Sequence, residues 1–245
     1  MKVIVFGAGG AMGKIVCQVA TAHGYEVVAK VDSAFETEGD RYASIFDFTG
    51  KADVIIDFSY HGAISDIASY AVKTNTPAII ATTGHTEEEK EIIYSASKSV
   101  PVFYAGNYSV GIALLCDLTR KAVEVMDGAD VEIVEVHHNR KLDAPSGTAL
   151  MLFNAVKEAK PEAEAVVGRS GQAKRKPEDV GISSLRMGNV VGIHEVHIST
   201  NTQTITLKHE AHDRALFAEG AVKAVEYLTA KTAGLYSMKD MLSSK

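Results

Sequence analysis

The sequence predicts an α/β protein: a parallel-sheet domain, interrupted by an inserted α+β domain with a mixed, largely antiparallel sheet. Three observations carry that expectation. The first hundred residues alternate short apolar runs with helical repeats, as strands covered by helices on both faces do. From Ile182 three strand-like runs succeed one another without a helix signal between them. The last long helical repeat, Arg214 to Leu228, is apolar at Leu216, Ala221, Val222, Val225 and Leu228, which suits a return to the first sheet. Residues 1–108 and 214–245 are expected to form one domain and 109–213 the other, with a ligand cleft between them.

Composition narrows the classes of function. With 245 residues, 46% of them hydrophobic, the chain can pack one large or two small cores. A net charge of −6 argues against a nucleic-acid partner, because phosphate binding calls for a basic surface. Cys17 and Cys116 stand far apart and read as free thiols of a reducing compartment. Val3-Ile-Val-Phe6 runs straight into glycines, unlike a secretory leader, and no apolar run approaches the roughly 18 residues of a membrane span. A cytoplasmic protein without a membrane partner is expected.

The chain begins with an apolar strand, Lys2 to Phe6, then Gly7-Ala-Gly-Gly-Ala-Met-Gly13, then Ile15, Val16, Val19 and Ala20 at helical spacing. A strand, a glycine turn and a helix N-terminus form the phosphate-binding unit of Rossmann-like folds, where close backbone approach and helix amides receive a pyrophosphate. Gly7 and Gly9 fit G-x-G-x-x-G only until Met12; Gly7, Gly10 and Gly13 fit a G-x-x-G-x-x-G spacing. A second strand, Tyr25 to Val31, ends in Asp32, placed as the carboxylate that accepts ribose hydroxyls. A dinucleotide cofactor is therefore expected, against a purely structural glycine turn.

Ser33 to Gly50 is irregular, and its acids read as a solvated face. Strands follow at Ala52–Phe58, Thr76–Ala81 and Val100–Tyr104, with helices over Ser59–Lys73 and Glu87–Ser97. Their carboxyl ends carry Asp57-Phe-Ser, Ala81-Thr-Thr-Gly and Ala105-Gly-Asn-Tyr-Ser, small, hydroxylated or aromatic residues suited to a nicotinamide pocket. Thr82 and Thr83 serve equally well as ordinary strand-end caps.

Val110 to Met126 predicts one helix with Ile112, Leu115, Leu118, Ala122 and Val125 as its apolar stripe. Glu132-Ile-Val-Glu-Val-His137 is a strand that runs out into His137, His138 and Lys141, and Ala144-Pro-Ser-Gly147 opens another helix. If the strand persists, His137 and His138 face opposite ways and have different tasks. Histidine and lysine supply protons, and Ser146-Gly147-Thr148 at a helix N-terminus suits a carboxylate. Asp143 is expected to anchor the turn or cap the helix. Residues 161–177 read as a loop whose basic cluster, Gly168-Arg-Ser-Gly171 and Lys174-Arg-Lys176, is either solvated or a lid over an anion. No metal is expected: adjacent histidines lack helical ligand spacing, and His194, His197, His209 and His212 are remote in sequence.

The string Glu135-Val-His-His-Asn-Arg-Lys-Leu-Asp-Ala-Pro-Ser-Gly-Thr-Ala149 resembles the signature of the dihydrodipicolinate reductase family. The glycine turn, Asp57-Phe-Ser, Ala81-Thr-Thr-Gly and Asn107-Tyr-Ser-Val-Gly111 resemble that family's other motifs, in the same order and over almost the whole chain. The resemblance implies reduction of 4-hydroxy-tetrahydrodipicolinate to tetrahydrodipicolinate with NADH or NADPH, in the diaminopimelate route to lysine. It implies His137 as general acid/base, Lys141 as proton donor, and His138, Gly147 and Thr148 as holders of the substrate's carboxylates. Gly7, Ala8, Gly9, Gly10, Ala11, Met12, Asp32, Ala81, Thr82, Thr83, Ala105, Gly106, Asn107 and Tyr108 would hold the dinucleotide. It also implies a homotetramer assembled through the second domain's sheet, so the domains become a dinucleotide-binding and a substrate-binding and oligomerisation domain.

Three positions depart from the family's pattern. Ser33 follows Asp32 where NADPH-using members often carry arginine, so NADH is expected to be preferred and NADPH possible, with Lys30 nearby as a competing cation. Tyr60 stands where some members have a basic residue, and Ala81 where glycine is common. The alternatives are a non-catalytic NAD(H)-binding redox sensor and a two-domain dehydrogenase of another small anionic substrate.

Overall fold

The structure is a computed structural model that describes residues 1–244. Contacts divide the chain into two units, Met1–Ser109 with Arg214–Lys245, and Val110–Asp213.

The first unit is a seven-stranded sheet. Strands β1 (Lys2–Phe6), β2 (Glu26–Val31), β3 (Arg41–Tyr42), β4 (Val54–Asp57), β5 (Ala78–Ile80), β6 (Pro101–Tyr104) and β12 (Gly234–Tyr236) lie in the order β12-β6-β5-β4-β1-β2-β3. Every pair in it is parallel. Each parallel step needs a crossover, and α1 (Ala11–Ala22), α2 (Ile64–Thr74) and α3 (Glu87–Ser97) supply three of them. Burial on both faces explains the unbroken apolar runs: Val3, Ile4, Val5, Val54, Ile55, Ile56 and Ile79 are entirely inaccessible to solvent. Strand order reverses at β1, between β2 and β4, which is where ligands of open parallel sheets settle beyond the carboxyl ends. The expected helix at Arg214–Leu228 is α6 (Ala215–Leu228), and it packs on α1.

The second unit joins helices α4 (Val110–Val125) and α5 (Gly147–Ala159) to a five-stranded sheet. Its strands β7 (Asp130–His137), β8 (Glu164–Val167), β9 (Asp179–Arg186), β10 (Gly192–Ser199) and β11 (Thr204–Ala211) take the order β11-β10-β7-β9-β8. The β10–β11 and β10–β7 pairs are antiparallel, and β7–β9 and β8–β9 are parallel. β7 therefore separates β9 from β10, which follow one another in sequence. Alternate residues Val131 and Ile133 of β7, Val180 and Ile182 of β9, and Val196 and Ile198 of β10 form one core with Leu115, Leu152 and Val156 from the helices.

Three expectations change. The apolar stripe of α4 is turned: Ile112, Leu115, Thr119 and Val123 are buried, whereas Leu118 is 45% and Val125 70% exposed. Apolar residues occupy most of this helix's circumference, so periodicity alone did not select the covered face. The 161–177 segment contains β8, whose short Glu164–Val167 run is too exposed to read as a buried strand. Beyond α6, β12 and α7 (Met238–Ser243) add a sheet edge and a last turn that have no periodic signal of their own.

Candidate active site

The glycine turn between β1 and α1 requires glycine at its two ends. Gly7 has φ +82°, and a Cβ there would lie 2.8 Å from Ser59 Cα. A Cβ on Gly13 would lie 2.7 Å from Ala8 Cα, so backbone would have to move. Positions 7 and 13 thus support the wider glycine spacing, with Gly10 as the N-cap of α1. That N-cap has no side chain to satisfy the helix amides, which leaves the turn suited to a pyrophosphate. Asp32 faces the same turn: Oδ2 accepts from Gly9 N at 3.0 Å and Oδ1 from Ala34 N at 3.0 Å. Beside it, the Arg41 guanidinium lies 4.1 Å from the Phe35 ring centre, while Lys30 is tied to Asp40 at 2.6 Å.

Met12, Ala81, Thr82 and Thr83 come together around a depression of about 350 Å³, with Phe58, Ser59, Tyr60 and His61. Under it, Asp57 Oδ1 accepts from Ser59 N at 3.0 Å and from Ser59 Oγ at 2.5 Å, and Thr82 Oγ1 also accepts from Ser59 N. Burial pushes the Asp57 carboxyl up to about 6, although bonds from Ser59 and Thr82 oppose the rise. Thr82 is accordingly both a lining residue and a strut. Asn107 Oδ1 turns back to Ser109 N at 2.8 Å, and Ala105 and Gly106 follow the end of β6. The ring of Tyr108 is committed to the core, where its hydroxyl donates to Ile80 O and Phe103 O, so its contribution to a ligand is confined to backbone.

In the second unit the polar residues gather where β7 ends on its helix-covered side. Glu135 and His137 continue the buried alternation of Val131 and Ile133, and β10 brings His194 opposite Glu135 while β9 brings Arg186 opposite His137. His137 Nδ1 lies 2.5 Å from Glu135 Oε2. Arg186 donates through Nη1 to Oε2 at 2.9 Å and through Nη2 to Oε1 at 2.8 Å, and Ser146 N donates to Oε1 at 3.2 Å. Burial works to raise the Glu135 carboxyl, but the bonds from His137 and Arg186 outweigh it and hold the group well below the usual carboxylate range. The His194 ring is 5.0 Å from that of His137. Burial, then the neighbouring His137, lowers His194 to about 3, so it is uncharged at neutral pH.

The strand stops at His137, so His138 lies beyond it, in a turn where Lys141 N donates to His138 O. Lys141 Nζ pairs with Asp143 Oδ1 at 2.7 Å. The cap of α5 is Ser146, whose Oγ accepts from Ala149 N; Asp143 is not a cap but the partner of Lys141, whose bond lowers its carboxyl. Gly147 and Thr148 form the first turn of α5. The basic cluster is tied down by ion pairs of Arg169 with Asp179 and of Arg175 with Asp130 and Glu132.

Glu135, His137 and His194 also bring three potential metal ligands together. The fold thus supplies the third group that sequence spacing did not. Both Glu135 oxygens are already engaged by a guanidinium, however, and a cation there would face Arg186 at close range. The donor set fits an acid–base cluster better than a metal site.

Comparison with known proteins bears on the same residues. The family model "Dihydrodipicolinate reductase, N-terminus" matches residues 1–108, and "Dihydrodipicolinate reductase, C-terminus" matches residues 111–242. The chain belongs to the dihydrodipicolinate reductase family. A 4-hydroxy-tetrahydrodipicolinate reductase of Caldanaerobacter subterraneus subsp. tengcongensis is 42% identical, over 99% of this chain and 98% of its own. One from Clostridium novyi is 40% identical, over 100% and 99%. The dipicolinate-bound dihydrodipicolinate reductase from Paenisporosarcina sp. TG-14 shares the fold, with a TM-score of 0.82, 21% identity and 97% of each chain covered.

Within this family of pyridine-nucleotide reductases, three residues of the His137 cluster escaped the reading of sequence. Glu135 had a signal, since the two-residue alternation of a strand places it on the face of His137. Arg186 and His194 had none, because only strand pairing brings them there. Arg41 was missed because β3 is two residues long and shows no alternation.

Proposed function

We propose that this protein reduces 4-hydroxy-tetrahydrodipicolinate to tetrahydrodipicolinate, with loss of water, in the diaminopimelate route to lysine. The observation that carries the reading is His137, bonded to a buried carboxylate through Nδ1 and followed by Lys141 and the N-terminus of α5. The first unit is the dinucleotide-binding domain, with Gly7 to Met12, Asp32, Ala81 to Thr83 and Ala105 to Tyr108 around the cofactor. A bound reduced nicotinamide supplies the hydride. His137 acts as general acid/base and the Lys141 ammonium as proton donor. His138, Gly147 and Thr148 hold the substrate's carboxylates, the last two through the positive end of α5. The Paenisporosarcina relative was solved with dipicolinate bound, a dicarboxylate of the kind this arrangement suits.

Asp32 supports NADH as the preferred cofactor, because a carboxylate accepts a ribose hydroxyl and repels a 2′-phosphate. Arg41 is the nearby cation that supports residual use of NADPH. The sheet face of the second unit away from α4 and α5 carries half-buried Val134, Val136 and Ile193, which supports its role in assembling a homotetramer. The test is oxidation of NADH and of NADPH, followed by nicotinamide absorbance with freshly prepared substrate. His137→Gln and Lys141→Met are each expected to reduce kcat by roughly 100- to 10,000-fold while cofactor affinity is retained. Well-folded protein that binds NADH without turnover would favour the redox sensor instead.

A further inference from the structure

The proposed reaction assigns a task to His137 but none to the carboxylate beneath it. Glu135 is fully inaccessible to solvent, and each of its oxygens receives two donors: Arg186 Nη1 and His137 Nδ1 on Oε2, Arg186 Nη2 and Ser146 N on Oε1. Three of these four are backbone amide or guanidinium N–H groups that can only donate. The fork of Arg186, bidentate and planar, fixes the carboxylate plane and keeps it ionised.

We infer that Glu135, clamped by Arg186, is a positioning residue that fixes His137 in its Nδ1–H tautomer and directs Nε2 to the reacting molecule. An ionised carboxylate accepts and cannot donate, so the 2.5 Å contact requires hydrogen on Nδ1. In the neutral ring Nε2 is then the basic atom, and in the charged ring it carries the transferable proton. Gly192 keeps that edge open: a Cβ there would lie 3.1 Å from His137 Nε2. His194 stands beside it as a neutral ring. Its Nε2 is 3.2 Å from Ser146 Oγ, a hydroxyl that accepts from Ala149 N and still has a proton it can donate to His194. His194 thus places no rival cation against Glu135.

This inference rests on the proposed role of His137, but the tautomer is measurable without substrate. In protein labelled with 15N-histidine, two-bond proton–nitrogen spectra distinguish Nδ1–H from Nε2–H, and His137→Asn assigns the signal. Wild type is expected in the Nδ1–H form. Glu135→Gln must aim an amide N–H at donors on one side, and Nδ1–H should lose population to Nε2–H. Its kcat should fall on the order of 100-fold, with KM and cofactor affinity little changed. Glu135→Asp keeps a carboxylate and should keep the Nδ1–H signature and recover part of kcat. Wild-type His137 in the Nε2–H form overturns the inference whether or not the variants fold. An unchanged tautomer in Glu135→Gln, or equal loss of kcat in both variants, also overturns it and leaves only a tie between β7 and β9. Wild-type protein without turnover would instead count against the proposed reaction.

Discussion

Replacing Arg186 by methionine removes the guanidinium that spans both oxygens of Glu135 and keeps most of the aliphatic volume. Glu135 is then left with His137 Nδ1 and Ser146 N as donors and no access to water. Breaking a buried pair from one side costs about 3–5 kcal/mol. The two surviving donors place this case near the lower end, about 3 kcal/mol. With a urea dependence of about 2–3 kcal/mol per molar, the midpoint of the second unit should fall by about 1 M or more at pH 7. The pH dependence gives a sharper test. In wild type the folded-state value of Glu135 is depressed, so its stabilisation is complete above the unfolded carboxylate range of about 4.3 and fades as pH falls toward the folded value. Without Arg186, burial dominates and the carboxyl rises. The gap between variant and wild type should therefore narrow as pH falls from 7.5 through the raised range of the variant's carboxyl toward pH 4.5. Urea titrations at several pH values measure it. A gap that stays constant across that range, or no loss at pH 7.5, would refute the account of Glu135 as a charge held by Arg186.

Other consequences are as direct. Arg41→Ala should leave kcat/KM for NADH nearly unchanged and lower it for NADPH, because the guanidinium on Phe35 is a cation near Asp32; steady-state assays with both cofactors check this. Gly13→Ala places a methyl group against Gly7 and Ala8 backbone, an overpacking cost of about 1–3 kcal/mol, and should weaken NADH binding in a fluorescence titration. Asp57, raised to about 6 in the folded state, contributes stability below the unfolded value of about 3.9 that is lost as pH rises through the folded one. Wild-type stability should thus decline between about pH 4 and 6 relative to Asp57→Asn, read from paired denaturation curves.

Much of the candidate site was legible because its chemistry is local in sequence. The glycine turn announces itself through strand, glycines and helix, since backbone clearance at Gly7 and Gly13 is a property of consecutive residues. Lys141 and the opening of α5 follow His137 within one short segment, and alternation along β7 shows which side of the strand His137 shares. Sequence left Asp143 with two roles, anchoring the turn or capping the helix, because two acceptors, Asp143 and Ser146, precede the same helix; only geometry shows that Ser146 caps it while Asp143 pairs with Lys141 within the turn.

The sequence by itself determined the alternation of buried strands and helices, the pyrophosphate turn and the proton-donating segment, because periodicity and spacing act over a few residues. Tertiary structure decided which face of α4 is covered, that β7 lies between β9 and β10, and that Arg41 stacks on Phe35. It also decided the surroundings of His137. Arg186 and His194 reach Glu135 through ladders between strands far apart in the chain, and the ionisation of a buried carboxylate depends on what those ladders bring within hydrogen-bonding distance.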